Sequence, residues 1–253
     1  MSALVSIVTP CYNAEKYLSN TFRSLLSQSH ENWEWIVTDD RSIDSSWSIL
    51  QAIAGKDKRV RIFQNNSNSG ASASRNNSLK ESRGKYIAFL DADDEWFSKK
   101  IERQLRFMQE NQASFTCHNY VMMTESGEDV KPVRSEFSTV TQFELRAFNP
   151  IATSFVMVKK EVIGELRFDL SLRRRQDWVF WYNILERVGK CYMIPEILGR
   201  YRKDSAHSIS KNKFKMAQLQ WMIYRKYFGL SWAEAMRSLY SYFKYGVTKH
   251  YLK

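Results

Sequence analysis

Short apolar runs alternate with amphipathic stretches through the first part of the chain. Residues 4–10 (LVSIVTP), 33–38 (WEWIVT), 60–64 (VRIFQ) and 85–90 (KYIAFL) are brief and rich in β-branched and aromatic residues. Such runs predict strands buried on both faces. Between them, Tyr17, Leu18, Phe22, Leu25 and Leu26 recur at helical spacing over 14–27, with Asn13 placed to cap. Residues 45–54 and 71–81 are the next two helices, the second preceded by the polar turn 65–70 (NNSNSG). Strand and helix thus alternate three times, which predicts an α/β fold with a parallel sheet flanked by helices. Ligands of such sheets lie beyond the carboxyl ends of the strands.

The second half is less regular. A helix is expected over 101–111, strands over 115–123 and 154–158 with a turn at Gly127 and Pro132, and an aromatic helix over 178–187. From 214 onward the pattern gives two helices broken near 229–231. The expected division is a catalytic domain over 1–213, made of a nucleotide half (1–113) and an acceptor half (114–213), followed by a basic helical extension over 214–253.

Polar residues gather where the strands end. Thr9–Asn13 (TPCYN), Asp39–Asp44 (DDRSID) and Asp91–Asp94 (DADD) each follow a predicted strand, so a parallel sheet brings them to one rim. Carboxylates crowded in a cleft repel one another and need a cation, hydrogen-bond donors or water to remain charged. A divalent ion shared with a diphosphate satisfies them, because hard cations take carboxylate and phosphate oxygens together. The plainer reading makes Asp39, Asp40 and Asp44 helix caps and turn formers, and DADD, Asp94 above all, a cap for the helix that follows.

The net charge of +11 favours anionic partners, and it is unevenly spread: beyond residue 210 nine Lys or Arg face the single acid Glu234. Cys11, Cys117 and Cys191 form no CxxC pair, which fits a reduced cytoplasmic setting. Neither a secretory leader nor an eighteen-residue apolar run is apparent, so the expected location is the cytoplasm or the inner face of the cell membrane.

SIVTPCYNAEKYL, VTDDRSIDSS and GASASRNNSLKESRGKYIAFLDADDEW, in that order and spacing, resemble family 2 glycosyltransferases of the GT-A fold. The likeness continues through RRRQDWVFWYNIL and LGRYRKDSAHSISKNK, where it is most similar to bacterial transferases of teichuronic acid, capsule and O-antigen assembly. The resemblance implies a GT-A (Rossmann-like) mixed, mainly parallel sheet and an inverting, metal-dependent transfer from a nucleotide sugar, UDP by family habit. The acceptor it implies is a saccharide, either free or carried on a polyprenyl diphosphate. Thr9, Pro10, Tyr12 and Asn13 would wall the base pocket, Asp40 would accept the uracil N3 proton with Asp39 beside it, and Arg75 would reach the base or phosphates. Asp91 would bind the ribose or a water next to the metal, Ala92 would touch the nucleotide sugar, and Asp93 would hold Mn²⁺ or Mg²⁺, joined in several relatives by a histidine, here His207.

An acceptor hydroxyl is a poor nucleophile and needs a carboxylate to take its proton. Asp177 in RRRQDWVFW is the candidate base; the family more often has Glu-Asp at this point, and here Gln176 precedes Asp177. Arg174 and Arg175, with Arg173, can clamp a diphosphate, and Trp178 can stack on a sugar, although at helical spacing Trp178 or Trp181 is expected in the core. The aromatic and basic tail can lie on an anionic membrane or pack on the catalytic domain. A dinucleotide oxidoreductase is disfavoured because no glycine fingerprint follows the first strand. A nucleic-acid-binding protein is disfavoured by the acidic rim. A retaining transferase on the same fold stands as the remaining alternative.

Overall fold

The computed structural model describes residues 3–203 and 213–251, with the side chains at 213–215 and 245–251 left aside. The first half runs β1 (Val5–Cys11), α1 (Leu18–Leu26), β2 (Trp33–Asp39), α2 (Ser46–Lys56), β3 (Val60–Gln64), α3 (Ala71–Glu81) and β4 (Tyr86–Phe89). The four strands pair in parallel in the order β3-β2-β1-β4. All seven residues of β2 and six of the seven in β1 are buried, as strands sandwiched between helices must be. Register sets the rim: Cys11 pairs with Asp39, Asp39 with Gln64, and Val8 with Phe89. The loops after β1, β2 and β4 therefore leave the sheet at one end.

The second half comprises β5 (Glu95–Trp96), α4 (Lys100–Glu110), β6 (Phe115–Met123), β7 (Asp129–Val133), β8 (Thr139–Val140), α5 (Gln142–Ala147), a 3-10 turn (Thr153–Phe155), β9 (Met157–Lys159), α6 (Lys160–Ile163), α7 (Gln176–Val188) and β10 (Cys191–Arg202). Strand β9 joins antiparallel to β4, and the sheet continues β9-β6-β10-β5, with β7 on β6 and β8 on β10. The result is a mixed ten-stranded sheet flanked by helices.

Several elements depart from the sequence reading. Helix α1 begins at Leu18, after a turn closed by Tyr17 N–H on the Ala14 carbonyl (2.9 Å), so Asn13 does not cap it. Pro132 lies inside edge strand β7 rather than in a turn, a position where a missing N–H is tolerated. The expected strand 154–158 is split: Ser154 sits in the 3-10 turn and only Met157–Lys159 is extended. The long strand β10 was not expected. It carries Pro195 at one register shift and Gly199 at another, so apolar and polar positions do not alternate. A β-carbon on Gly199 would lie 2.8 Å from both the Glu95 carbonyl oxygen and the Phe155 ring, so only glycine lets β5 and this turn close on β10.

The tail forms α8 (Lys213–Met222), a π-helical turn (Ile223–Tyr227) and α9 (Trp232–Tyr251), separated at Gly229. It packs on the sheet-bearing body: Phe228 stacks on Tyr182 at 3.6 Å, and Tyr224 donates its hydroxyl to the Arg146 carbonyl. Ile223, Tyr224 and Leu230 are fully buried. Burial on that scale stabilises by about 1.5–3 kcal/mol per large apolar side chain.

Candidate active site

The rim loops are tied to one another by polar side chains. Asn13, in the left-handed region (φ 50°), accepts the Ile43 N–H on Oδ1 (3.0 Å), which fastens the loop after β1 to the loop after β2. Asp39 is buried and accepts from Gln64 Nε2 (3.0 Å) and the Ser42 N–H (3.1 Å). Asp40 Oδ1 takes Asn65 Nδ2 (2.7 Å) and the Ser69 N–H (2.9 Å), and Oδ2 takes the Gly70 N–H (2.7 Å). Asp40 thus organises the turn after β3 and keeps one acceptor site on Oδ2. Gly70 has φ 89°, which a side chain would strain, and it opens α3 toward the rim. Asp44 accepts the Ser46 and Glu15 N–H groups (2.9 and 3.1 Å). Those donors outweigh its burial and hold its carboxyl below the usual range.

Asn65 Nδ2 also donates to Ser74 Oγ (3.0 Å), which joins Asp40 to helix α3. The next residue, Arg75, is buried and pairs with Asp91 (2.6 Å), while its Nε has no partner. Asp177, in the first turn of α7, feels both Arg75 and Asp91 and receives a long contact from Thr153 Oγ1 (3.4 Å). Burial raises the Asp177 carboxyl above its ordinary value; the Arg75 charge opposes this and Asp91 adds to it. Asp40, Arg75, Asp91 and Asp177, far apart in sequence, are therefore linked around one rim. Three of the four non-glycine residues with positive φ among those described, Asn13, Arg41 and Arg175, lie in its loops.

Within DADD the side chains alternate between rim and interior. Asp91 and Asp93 are half-buried, and Ala92 and Asp94 are buried. Thr21 of α1 donates to the carbonyls of Ala92 (2.8 Å) and Asp94 (3.0 Å), and Arg202 Nε donates to that of Asp93 (2.9 Å). Asp94 does not cap α4, whose first flanking residue is Lys99. It accepts the Arg202 N–H (2.8 Å) and the Ser154 hydroxyl, locking β10 and the 3-10 turn beneath the motif. Burial, then the charges of Asp93 and Asp91, push its carboxyl well above the usual range. Tyr201, partly exposed, is also pushed up, by burial and then by Asp94, Asp91 and Asp93.

Among the described residues no three Asp, Glu, His or Cys side chains converge on a metal position. The donor set, carboxylates without sulfur, fits a hard cation completed by diphosphate oxygens and water rather than a protein-only cage. His207 lies outside the described residues.

Other predicted residues are placed differently. Tyr12 is exposed at the rim and Pro10 is half-buried beside it. Thr9 has no surface and accepts Trp35 Nε1 (2.8 Å), so it braces the wall from inside. Trp178 is core, donating to the Leu145 carbonyl (2.8 Å), and Trp181 is fully buried against Phe89 and Phe115. Trp178 therefore offers no face to a sugar. Arg175 turns toward α9, donating to Tyr242 Oη (2.8 Å) and lying 4.8 Å over the Trp178 ring, which removes it from a diphosphate clamp. Arg174 and Arg173 remain exposed. Replacing Trp178 with Phe is expected to cost about 1–3 kcal/mol of unfolding free energy, because the buried Leu145 carbonyl loses its donor, with a further loss from the smaller ring. The acceptor KM should not change, as measured by denaturant titration beside steady-state kinetics.

Two residues at the rim were missed. Tyr120 stacks on Phe155 (4.8 Å), and Tyr201 leans on Tyr120 (5.6 Å), forming an aromatic wall beside the acidic residues. Burial pushes the Tyr120 hydroxyl up to about 12. No motif announces them: Tyr120 lies within the expected strand 115–123, and Tyr201 lies near the end of β10, whose bulges obscure its alternation. A separate open cavity of about 560 Å³, walled by Tyr17, Asn20, Glu125 and Arg202, adjoins the Asp93 backbone. None of the residues predicted to hold the donor lines it.

Comparison with known proteins supplies a family. The model "Glycosyl transferase family 2" matches residues 6–166. TuaG of Bacillus subtilis (strain 168), named for teichuronic acid biosynthesis, is 35% identical over 246 residues, covering 97% of each chain. WfaP of Escherichia coli, named as a UDP-Glc:alpha-D-GlcNAc-diphosphoundecaprenol beta-1,3-glucosyltransferase, is 34% identical over 84% of this chain and 82% of that one. Among solved structures, S. aureus TarS 1-349 in complex with UDP-GlcNAc superposes with a TM-score of 0.72 at 19% identity, over 94% of this chain and 71% of that one. The chain spans 42% of the longer TarS structure, and this likeness speaks to the fold alone.

Proposed function

Since the chain belongs to glycosyl transferase family 2, we propose that it moves a sugar with inversion from a UDP-sugar to a saccharide acceptor borne on a polyprenyl diphosphate, in the synthesis of a cell-surface polysaccharide. The observation that carries this reading is that Asp40 is tied through Asn65 to Ser74, the residue before Arg75, while Arg75 pairs with Asp91 and Asp177 lies close enough to feel both charges. The UDP-sugar donor and the lipid-linked acceptor are argued from the name of WfaP, and the polysaccharide role from that of TuaG. Three free, buried cysteines fit a reduced cytoplasmic setting.

In this reading the uridine lies between Tyr12 and the Asp40 turn, and Asp40 Oδ2 has an acceptor site for the uracil N3–H. Asp91, held by Arg75, faces the ribose. Asp93 would hold Mn²⁺ or Mg²⁺ with the diphosphate, and such an ion supplies neutralisation of the leaving-group charge. The acceptor hydroxyl attacks the anomeric carbon as the bond to the diphosphate breaks, and Asp177 takes the hydroxyl proton. Its raised carboxyl basicity suits that task. Tyr120 and Tyr201 form a face on which an acceptor sugar can stack.

The test is transfer itself. Purified chain, UDP-glucose or UDP-N-acetylglucosamine and Mn²⁺ are given to a GlcNAc-diphospho-lipid, and the anomer of the product is read by NMR. A β-linked disaccharide from an α-linked donor is expected. An α-linked product would move the reaction to the retaining class, and absence of UDP-sugar binding by calorimetry would sink the reading.

A further inference from the structure

Helix α9 carries two apolar stripes, and the body covers only one. Ala235 is buried and Leu239 and Tyr242 are half-buried on the side that packs against α5 and the core. Trp232, Met236, Tyr240 and Phe243 form the second stripe and are 66%, 55%, 70% and 45% exposed. At 100° per residue these four fall within about 80° of the helix circumference. Arg237 and Lys244, both exposed, follow on the adjoining arc, on the side away from the packed face. Arg225 lies 5.9 Å over the Trp232 ring, at one end of the stripe.

A run of exposed Trp, Met, Tyr and Phe bordered by bases differs from scattered surface apolar residues, which need no explanation. Aromatic side chains with polar tips suit the level of lipid headgroups. A helix with this division of faces lies in the plane of a membrane interface and is drawn to anionic lipid. Charge complementarity fixes the lipid class: nine bases oppose one acid beyond residue 210. No helix of the described residues is long and apolar enough to cross a membrane, so contact by this part of the chain is from one side.

We infer that the outer stripe of α9 docks on an anionic bilayer, with Trp232, Met236, Tyr240 and Phe243 entering the interface and Arg237 and Lys244 meeting phosphate. The docking also orients the site. Arg175, two residues before Asp177, donates to Tyr242 Oη of α9 (2.8 Å), and the Trp178 ring lies 6.1 Å from that of Tyr242. Seating α9 on the membrane therefore holds the start of α7, with exposed Arg173 and Arg174, close to the headgroups. An acceptor carried on a lipid diphosphate would meet Asp177 there; this last step rests on the proposed function, whereas the docking itself does not.

The experiment is flotation of the full chain with vesicles of equimolar phosphatidylglycerol and phosphatidylcholine, and with phosphatidylcholine alone. The wild type is expected to float with the anionic vesicles, less so as salt is raised, and Trp fluorescence should shift to the blue. Replacing Trp232, Met236, Tyr240 and Phe243 together by Ser should cut partitioning by at least about tenfold. Arg237→Gln with Lys244→Gln should weaken binding to anionic vesicles only. Circular dichroism and UDP affinity report whether each variant is folded, and Tyr240→Asp serves as a second probe if the fourfold change is not tolerated. Unaltered flotation of Tyr240→Asp and of the fourfold variant overturns the inference. So does a wild-type dimer that Tyr240→Asp dissociates while neither protein binds vesicles, because the stripe would then join two copies. Loss of UDP-sugar binding with intact flotation would count against the proposed function alone.

Discussion

Replacing Asp177 with Asn is expected to lower kcat by about 10²–10⁴-fold, the contribution of a positioned general base, while UDP-sugar affinity is nearly unchanged. The carboxamide keeps the shape and can still meet Thr153 Oγ1, so the fold has little reason to change. Only the capacity to take the acceptor proton is lost. The pH profile sharpens the test. Asp177 works deprotonated, and burial raises its carboxyl above the ordinary value. Activity should therefore fall as pH drops through that raised value, giving an acid limb above the normal carboxylate range. Arg75 opposes the shift, so Arg75→Met should move the limb further toward neutral pH, in addition to any loss from releasing Asp91. Stopped assays across pH, with calorimetry of UDP binding alongside, check both. Near-wild-type turnover in Asp177→Asn would remove the base assignment.

What could be read from the sequence, and what could not, follows from the kind of information each element carries. The rim loops were legible because a parallel sheet sends the ends of its strands to one side, so TPCYN, DDRSID and DADD had to meet. Strand β10 was not legible, since Pro195 and Gly199 interrupt the alternation on which strand reading depends. Helix α5 did carry a signal that went unread: Thr141 and Glu144 form a reciprocal capping box. Side-chain direction was the harder matter. Trp178 and Arg175 flank Asp177 in sequence and were assigned to substrate, yet the helix turns them into the core and toward α9. Likewise, the tail pattern gave aromatic residues in abundance without saying that they divide into a covered stripe and a bare one. Such divisions depend on the partner surface, which one chain segment does not encode.

The DADD motif offers the sharpest contrast, because neighbouring carboxylates point to opposite sides. Asp93→Asn is expected to abolish the dependence of UDP-sugar binding on Mn²⁺ and to lower kcat by about 10²–10³-fold, as for loss of one group that stabilises transition-state charge. Its backbone carbonyl still accepts Arg202 Nε, so the loop should hold its shape and the melting temperature should change little. Asp94→Asn should behave otherwise. Asp94 is buried and serves β10 and the 3-10 turn through the Arg202 N–H and the Ser154 hydroxyl. An amide oxygen can accept the first, and an amide N–H can donate to the second once the hydroxyl turns, so metal-dependent binding should persist in that variant. Calorimetric titration of UDP with and without Mn²⁺, with thermal unfolding of each variant, separates the two. If Asp94→Asn erased the metal dependence and Asp93→Asn did not, the ion would belong on the inner side of the motif and the rim would need another explanation for its charge.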